Sequence, residues 1–319
     1  MLTIEEAVKV LSYKFLMQEG IAGVSCRRGS EGRLVVYVED AEAARKVPST
    51  LMGFDVEVVV TGRIYALGAV GKVGRTLAGL VGSKTGKWKV VPGGVSCGHL
   101  LVTAGTLSSR VYDLRTGRRL FLSNNHVIAA SNAGKPGDPI LQPGPADGGS
   151  YPGDVIGYLE RFVPIRPPPD ENLVDAAVAR PIRDDVLSDE VLDVGVVTSV
   201  GEARVGMRVV KSGRTTCYKE GEVTDVNATI KVYGYPWGYS IFSDQVLTTP
   251  IGEPGDSGSI VVDVGTRSAV GLLFAGSWQV TALNKMTNVV RSLGITFSPP
   301  RPPADAARQR PARPLQGID

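Results

Sequence analysis

The chain has 319 residues, a formal charge of +3, 39 glycines, 21 prolines and three cysteines. That length holds one large domain or a few small ones with a real core, and so small a net charge argues against nucleic acid as a partner. The widely spread Cys26, Cys97 and Cys217 do not make a disulfide framework, which predicts a reducing, cytoplasmic setting. The first residues lack a basic region followed by an apolar one, and no run of about 18 apolar residues occurs. Neither a signal peptide nor a membrane span is expected.

The chain opens on an amphipathic helix. Thr3 and Glu6 form a capping box, and Ile4, Val8, Leu11 and Phe15 recur at helical spacing before Gly20. An apolar run at Ile21–Val24, a strand at Leu34–Val38, a short helix at Ala41–Lys46 and a strand at Val56–Val60 complete a small α/β domain, residues 1–62. It carries no cluster of His, Cys or paired carboxylates, which leaves it a docking or structural role. The apolar face of its helix leaves a homo-oligomer open.

Residues 63–92 read as a basic, glycine-rich connector. Its Gly82-Ser83-Lys84-Thr85-Gly86-Lys87 resembles a phosphate loop only superficially, because the glycines are too close and Trp88 stands where Ser or Thr should meet magnesium. Lys72, Arg75, Lys84, Lys87 and Lys89 are candidates for weak contact with an anionic partner. From residue 93 to 297 the pattern becomes strands divided by turns. These include Leu100–Ala104, Arg110–Leu114, Leu120–Leu122, Val155–Tyr158, Val174–Ala179, Val194–Val200, Arg208–Val210, Gly221–Val226, Thr229–Tyr233 and Ile241–Leu247. Such spacing predicts a sandwich or closed barrels. A helix at Lys285–Leu293 ends at Gly294. Residues 298–319, with six prolines and four arginines, predict a disordered tail.

One stretch carries chemistry: Gly252-Glu253-Pro254-Gly255-Asp256-Ser257-Gly258-Ser259, between two strand-like runs. A serine in so glycine-rich a turn presents its hydroxyl beside several backbone N–H groups, which suits a nucleophile with an oxyanion hole. Turn composition alone gives the same residues in an ordinary hairpin loop. A serine nucleophile needs a base, and the chain has two histidines. His126, where a strand breaks into Ser123-Asn124-Asn125, is a better candidate than His99 at a strand entrance; either could be a hydrogen-bonded structural histidine. Asp175 stands alone in the apolar run Leu173–Ala179 and so requires a partner if buried. The alternative is the solvent face of an edge strand, and Asp113 and Asp154 are weaker candidates beside turns.

His126, Asp175 and Ser257 in that order, within Asn124-Asn125-His126-Val127-Ile128, Val174-Asp175-Ala176-Ala177 and Gly255-Asp256-Ser257-Gly258, resemble the chymotrypsin/trypsin-like serine proteases. Pro92-Gly93-Gly94-Val95-Ser96, Thr103-Ala104-Gly105-Thr106, Lys211–Thr216 and Gly271–Ser277 are similar to an intracellular prokaryotic branch that also carries an N-terminal α/β segment. The resemblance spans residues 93–297. It implies a mainly β fold of two six-stranded antiparallel β-barrels, 93–185 and 190–297. It also implies a serine endopeptidase acting on polypeptide through His126, Asp175 and Ser257, with Gly255 and Ser257 N–H as oxyanion donors.

By the same resemblance Ile251, Phe274, Ala275 and Gly276 form the substrate pocket and favour an apolar side chain before the cleaved bond. No cofactor or metal is implied. A catalytically latent scaffold and an esterase with the same triad are the competing readings. Two departures stand out. Ser259 replaces a usual glycine, and Asp256 lacks the new amino terminus that usually neutralises it.

Overall fold

The computed structural model describes residues 2–27, 32–68 and 83–300. The connector's residues 69–82, with Lys72 and Arg75, and the tail from residue 301 lie outside the described residues. The fold is mainly β, as expected, and its core is two barrels; His126 and Asp175 belong to the first and Ser257 to the second.

In the first barrel the strands Arg119–Ser123, Ala177–Pro181, Val155–Phe162, Pro139–Leu141 and Ser96–His99 follow one another antiparallel, and Gly105–Thr106 pairs with the last. Ser108 N donates to Leu122 O at 2.9 Å and Leu122 N to Ser109 O at 3.0 Å, which returns the path to its first strand and closes the barrel. Closure removes the unpaired edges that an open sheet would expose. Phe121, Ile140, Leu159 and Ala179 fill the interior.

The second barrel runs Gly238–Thr248, Thr281–Lys285, Ala269–Gly276, Ile260–Asp263, Arg208–Gly213 and Cys217–Tyr235, and the last strand pairs with the first. The expected strands Gly221–Val226 and Thr229–Tyr233 are one continuous strand of 19 residues, bent by repeated register shifts. Bulges let one long strand turn a barrel corner without ending. Its far half carries the N-terminal strands: Gly23 pairs with Ile230, and Arg33–Val38 and Phe54–Val60 continue the sheet.

The N-terminal helix spans Ile4–Phe15 with both capping-box bonds formed, Glu6 N to Thr3 Oγ1 at 3.2 Å and Thr3 N to Glu6 Oε2 at 2.8 Å. Its apolar side, Ala7, Val8 and Leu11, packs on Val24, Cys26 and Leu34. The face expected to serve assembly is covered by the chain's own sheet, because an exposed strand pair needs that helix to bury its apolar side.

Other expectations shift. Leu100–Ala104 is not a strand; Ser96–His99 is, and the chain turns after it. Val194–Val200 shortens to Gly195–Val196. The strand expected at Val174–Ala179 begins at Ala177, which leaves Asp175 ahead of it. Within the connector, Ile64–Ala66 is a strand that pairs with both Cys217–Tyr235 and Ala269–Gly276. Lys84, largely buried, pairs with Asp193, and the exposed Lys87 pairs with Asp154. The C-terminal helix Met286–Leu293 stops at Gly294 in a left-handed conformation, the usual glycine stop. Among the described residues no helix is long and apolar enough to cross a membrane.

Candidate active site

His126 follows directly from the end of a barrel strand. After Arg119–Ser123 the chain passes through Asn124 and makes one short helix, Asn125–Ile128. Asn125 Nδ2 donates to Asn132 Oδ1 and Val163 O, both at 2.8 Å, and Asn124 Nδ2 donates to Asp175 O at 2.7 Å. The polar residues that interrupt the apolar pattern are therefore the tethers of this turn.

Asp175 is fully buried, and its lone charge is met from three sides. His126 N donates to Oδ1 at 3.1 Å, His126 Nδ1 lies 2.6 Å from Oδ2, and Tyr235 donates its phenol to Oδ2 at 2.8 Å. Asn284 holds the Asp175 main chain, accepting from its N–H at 3.0 Å and donating to its carbonyl at 3.2 Å. Burial pushes the Tyr235 phenol well above its ordinary value, and the Asp175 carboxylate pushes the same way, so Tyr235 stays a donor. A carboxylate facing Nδ1 places the proton there and leaves Nε2 as the acceptor. His126 Nε2 is buried with no hydrogen-bond partner among the described residues.

Ser257 comes from the other barrel, in the turn that precedes Ile260–Asp263. Its hydroxyl donates to Phe274 O at 3.1 Å, and its carbonyl accepts from Thr106 N of the first barrel at 2.7 Å. The glycines of the turn are obligatory. Gly255 has φ +103°, and a Cβ there would stand 2.3 Å from Thr215 Oγ1. Gly258 has φ +97°, and a Cβ would stand 2.0 Å from Thr106 O. No side chain fits either place.

Asp256 finds the cation that the sequence left open. Lys211 Nζ lies 3.0 Å from its Oδ2, with both side chains fully buried. Thr215 N, Thr216 N, Thr216 Oγ1 and Glu253 N also donate to the carboxylate, at 2.9, 3.2, 2.7 and 3.0 Å. Burial lowers the Lys211 pKa and the facing Asp256 works against that shift. Ser259 has a use as well, since its hydroxyl donates to Asp256 O at 2.6 Å. Beside this turn the guanidinium of Arg214 grips Asp147 through two bonds of 2.5 and 2.7 Å.

A cavity of about 720 Å³ opens along the barrel junction, lined by His126, Leu67, Gly252, Pro254, Gly276 and Trp278 among others. Ile251 is buried with Leu67 and Leu273. Phe274 and Ala275 turn their side chains into the second barrel's core, with Phe274 against Phe242 at 4.8 Å between ring centroids. They reach the site only through main-chain groups. His99 bonds Asp138 at 3.0 Å, and Asp113 and Asp154 bind their own turns and Arg161 or Lys87. No group of three or more His, Cys, Asp or Glu is gathered to hold a metal among the described residues.

Sequence reasoning missed Lys211, Tyr235 and Leu67. Lys211 was legible by the rule that found Asp175, one charge inside an apolar run (Val209-Val210-Lys211). Tyr235 gives no local sign, because its contact with Asp175 spans 60 positions. Chemically the assembled groups can take a proton from a hydroxyl and donate N–H bonds to an oxygen that gains charge.

No family model matches the chain. Over 194 residues it is 28% identical to Streptogrisin-D of Streptomyces griseus, covering 61% of this chain and 41% of that protein. It is 42% identical over 81 residues to Serine protease 2 of Streptomyces fradiae, covering 25% and 43%. The chain thus spans less than half the length of these curated relatives. Among solved structures, Thermobifida fusca Protease A aligns with a TM-score of 0.47 at 18% identity, over 66% of this chain and 99% of that one.

Proposed function

We propose that this chain, which is related to the chymotrypsin/trypsin-like serine proteases, is a serine endopeptidase that hydrolyses peptide bonds in polypeptides. One observation carries the reading. His126 is anchored at Nδ1 on the buried Asp175 while its Nε2 has no partner, at the junction where the other barrel supplies Ser257. A buried imidazole nitrogen without a partner costs stability unless it has a use.

In the proposed reaction the Ser257 hydroxyl leaves Phe274 O, passes its proton to His126 Nε2 and attacks the carbonyl carbon. Asp175 stabilises the imidazolium that forms and does not itself take the proton. The Gly255 N–H, which points into the cleft, and the Ser257 N–H receive the oxyanion, each donor worth on the order of 10²–10³ in rate. His126 then protonates the leaving amine, and water repeats the sequence on the acyl-enzyme. The Lys211–Asp256 pair supports a turn already shaped for this work.

The apolar Ile251 floor and the glycines Gly252 and Gly276 favour an apolar residue before the cleaved bond. The buried Cys97 and the exposed Cys217 are thiols, which supports a cytoplasmic placement. A fluorophosphonate is expected to label wild type and not Ser257→Ala or His126→Ala. A folded wild type that never labels would favour the latent scaffold. In a peptide library Leu is expected before the cleaved bond, and a preference for Arg there would remove the pocket assignment.

A further inference from the structure

We propose that an arginine-lined hollow at the end of the first barrel away from His126 binds an oligophosphate, a chain of two or more phosphoryl groups, free or at the end of a nucleotide. The proposal stands apart from the endopeptidase reading and does not depend on it.

The hollow, about 480 Å³, is lined by Arg115, Arg118, Arg119, Arg161, Arg180 and Arg183. Against these six guanidinium groups it holds three carboxylates, Asp113, Glu160 and Asp184. Barrel pairing gathers them: Arg119 pairs with Tyr112, Phe121 with Ala179, and Tyr158 with Arg180. Arg119 opens the strand that leads to His126, and Arg180 lies near the far end of the strand that starts after Asp175. At about 3.3 Å per strand residue, the hollow stands on the order of 15 Å from those two side chains.

The local acceptors are already committed. Asp113 Oδ1 accepts from Arg115 N, Thr116 N and Thr116 Oγ1 at 3.1, 2.8 and 2.8 Å, and Oδ2 pairs with Arg161 Nη2 at 2.8 Å. Asp113 thus shapes the turn and fixes Arg161, and it takes no bond from the side chains of Arg115 and Arg118. Neither of those guanidinium groups has a partner among the described residues. Arg119 is held, with Nη1 donating to Asp184 O at 3.0 Å and Nη2 to Asp189 Oδ1 at 2.5 Å. Its Nε is nonetheless buried with no acceptor, and Asp189 also serves Arg110 at 2.6 Å. Arg180 reaches Glu160 only at 3.5 Å, and both side chains are exposed. Such exposed pairs contribute little and yield to a stronger acceptor.

That surplus selects the ligand. Six arginines against three carboxylates leave three positive charges, more than one carboxylate or one phosphoryl group neutralises. Every cation lining the hollow is an arginine, whose planar fork grips phosphoryl oxygens in pairs where a lysine offers only a point charge. The excess is local, since the whole chain carries only +3. A solvated arginine face spreads matched pairs over a convex surface. Here the charges converge on one concave space and outnumber their partners, which suits a compact ligand of several charges better than a long polymer that needs a track.

Full-length wild type is titrated calorimetrically with tripolyphosphate, ATP, orthophosphate, an acidic peptide and a short single-stranded DNA at about 0.15 M salt. One tripolyphosphate is expected per chain, bound roughly tenfold or more tightly than orthophosphate, the peptide or the DNA. Arg115→Gln combined with Arg118→Gln should weaken it roughly tenfold or more, with fluorophosphonate labelling and the ligand-free Tm as in wild type. If that double variant melts early, Arg118→Lys, which keeps the charge and loses the fork, should still weaken binding by about threefold or more. Arg45→Gln, on the helix Ala41–Lys46 of the N-terminal domain, should leave binding unchanged. Whichever of tripolyphosphate and ATP binds more tightly names the source, free chain or nucleotide, and either supports the site. A folded wild type that shows no saturation by on the order of 1 mM tripolyphosphate overturns it. Equal or tighter binding of orthophosphate, peptide or DNA overturns the ligand class. Equal weakening by Arg45→Gln assigns the attraction to net charge and overturns the hollow as its seat, as does full binding by the arginine variants.

Discussion

Lys211→Met removes the cation of a fully buried ion pair while keeping the length of the side chain. Asp256 would keep its carboxylate out of water with its remaining donors, Thr215 N, Thr216 N, Thr216 Oγ1 and Glu253 N. Breaking one side of a buried pair costs about 3–5 kcal/mol, because the surviving charge is uncompensated. Those four donors put the expected loss at the low end, about 3 kcal/mol. For a domain of this size that is a fall in Tm of roughly 6–12 °C. The damage is local to the turn that aims Gly255 and Ser257, so the rate should fall by on the order of 10²–10³, the cost of a displaced oxyanion donor. Thermal melts and fluorophosphonate labelling of the same samples read both quantities. Adding Asp256→Asn should restore at least half of the lost stability, since the stranded charge is then gone. A Lys211→Met protein within about 1 kcal/mol of wild type, or a double variant weaker than the single, would refute the reasoning.

Tyr235→Phe removes one donor from Asp175 and no core volume; a hydrogen bond to a charged group is worth about 1.5–3 kcal/mol. The expected result is a roughly 10–100-fold fall in kcat with KM unchanged, and a rise in KM instead would mean that Tyr235 shapes the cleft. Gly258→Ala would set a methyl 2.0 Å from Thr106 O at φ +97°. It should cost more than about 3 kcal/mol by strain and clash, and a soluble variant with an unchanged Tm would contradict the turn geometry. The Lys84 hydrogen bond holds the Asp193 carboxyl below its usual range, and the Lys135 N–H does so first for Asp138. Folded values below the unfolded value of about 3.9 give stability that is present above it and lost as pH falls through the folded values. The urea midpoint should hold from pH 7 to about 5 and drop below about 4, less steeply in Lys84→Met. Equal slopes in both proteins would exclude the Lys84 contribution.

Much of the fold was legible because its signals are local. The capping box, the helical spacing after it, the glycine stop at Gly294 and the alternation of short strands each depend on residues within a few positions of one another. His126, Asp175 and Ser257 were legible for a related reason. Each breaks the pattern around it: polar residues at a strand end, a lone acid in an apolar run, a serine among glycines. Lys211 broke its pattern too, but a single charge has no readable partner until the barrel brings the Asp256 turn against it.

What only the tertiary structure decided is contact between distant positions. The two halves of the 217–235 strand read as separate strands because bulges interrupt their alternation, and only pairing joins them. Phe274 and Ala275 read as cleft residues, yet a register shift in their strand between Leu273 and Ala275 lets both side chains join the core and leaves only main-chain groups facing the site. The connector shows no strand signal at Ile64–Ala66, since its order comes from edges offered by two other strands. Its polar groups are satisfied by main-chain bonds that any sequence can make, so nothing in its composition announces where it docks. The glycine-rich turn around Ser257 was written in residue types; the seat of Leu67 beside Gly252 and Gly276 depends on where a barrel leaves an open edge.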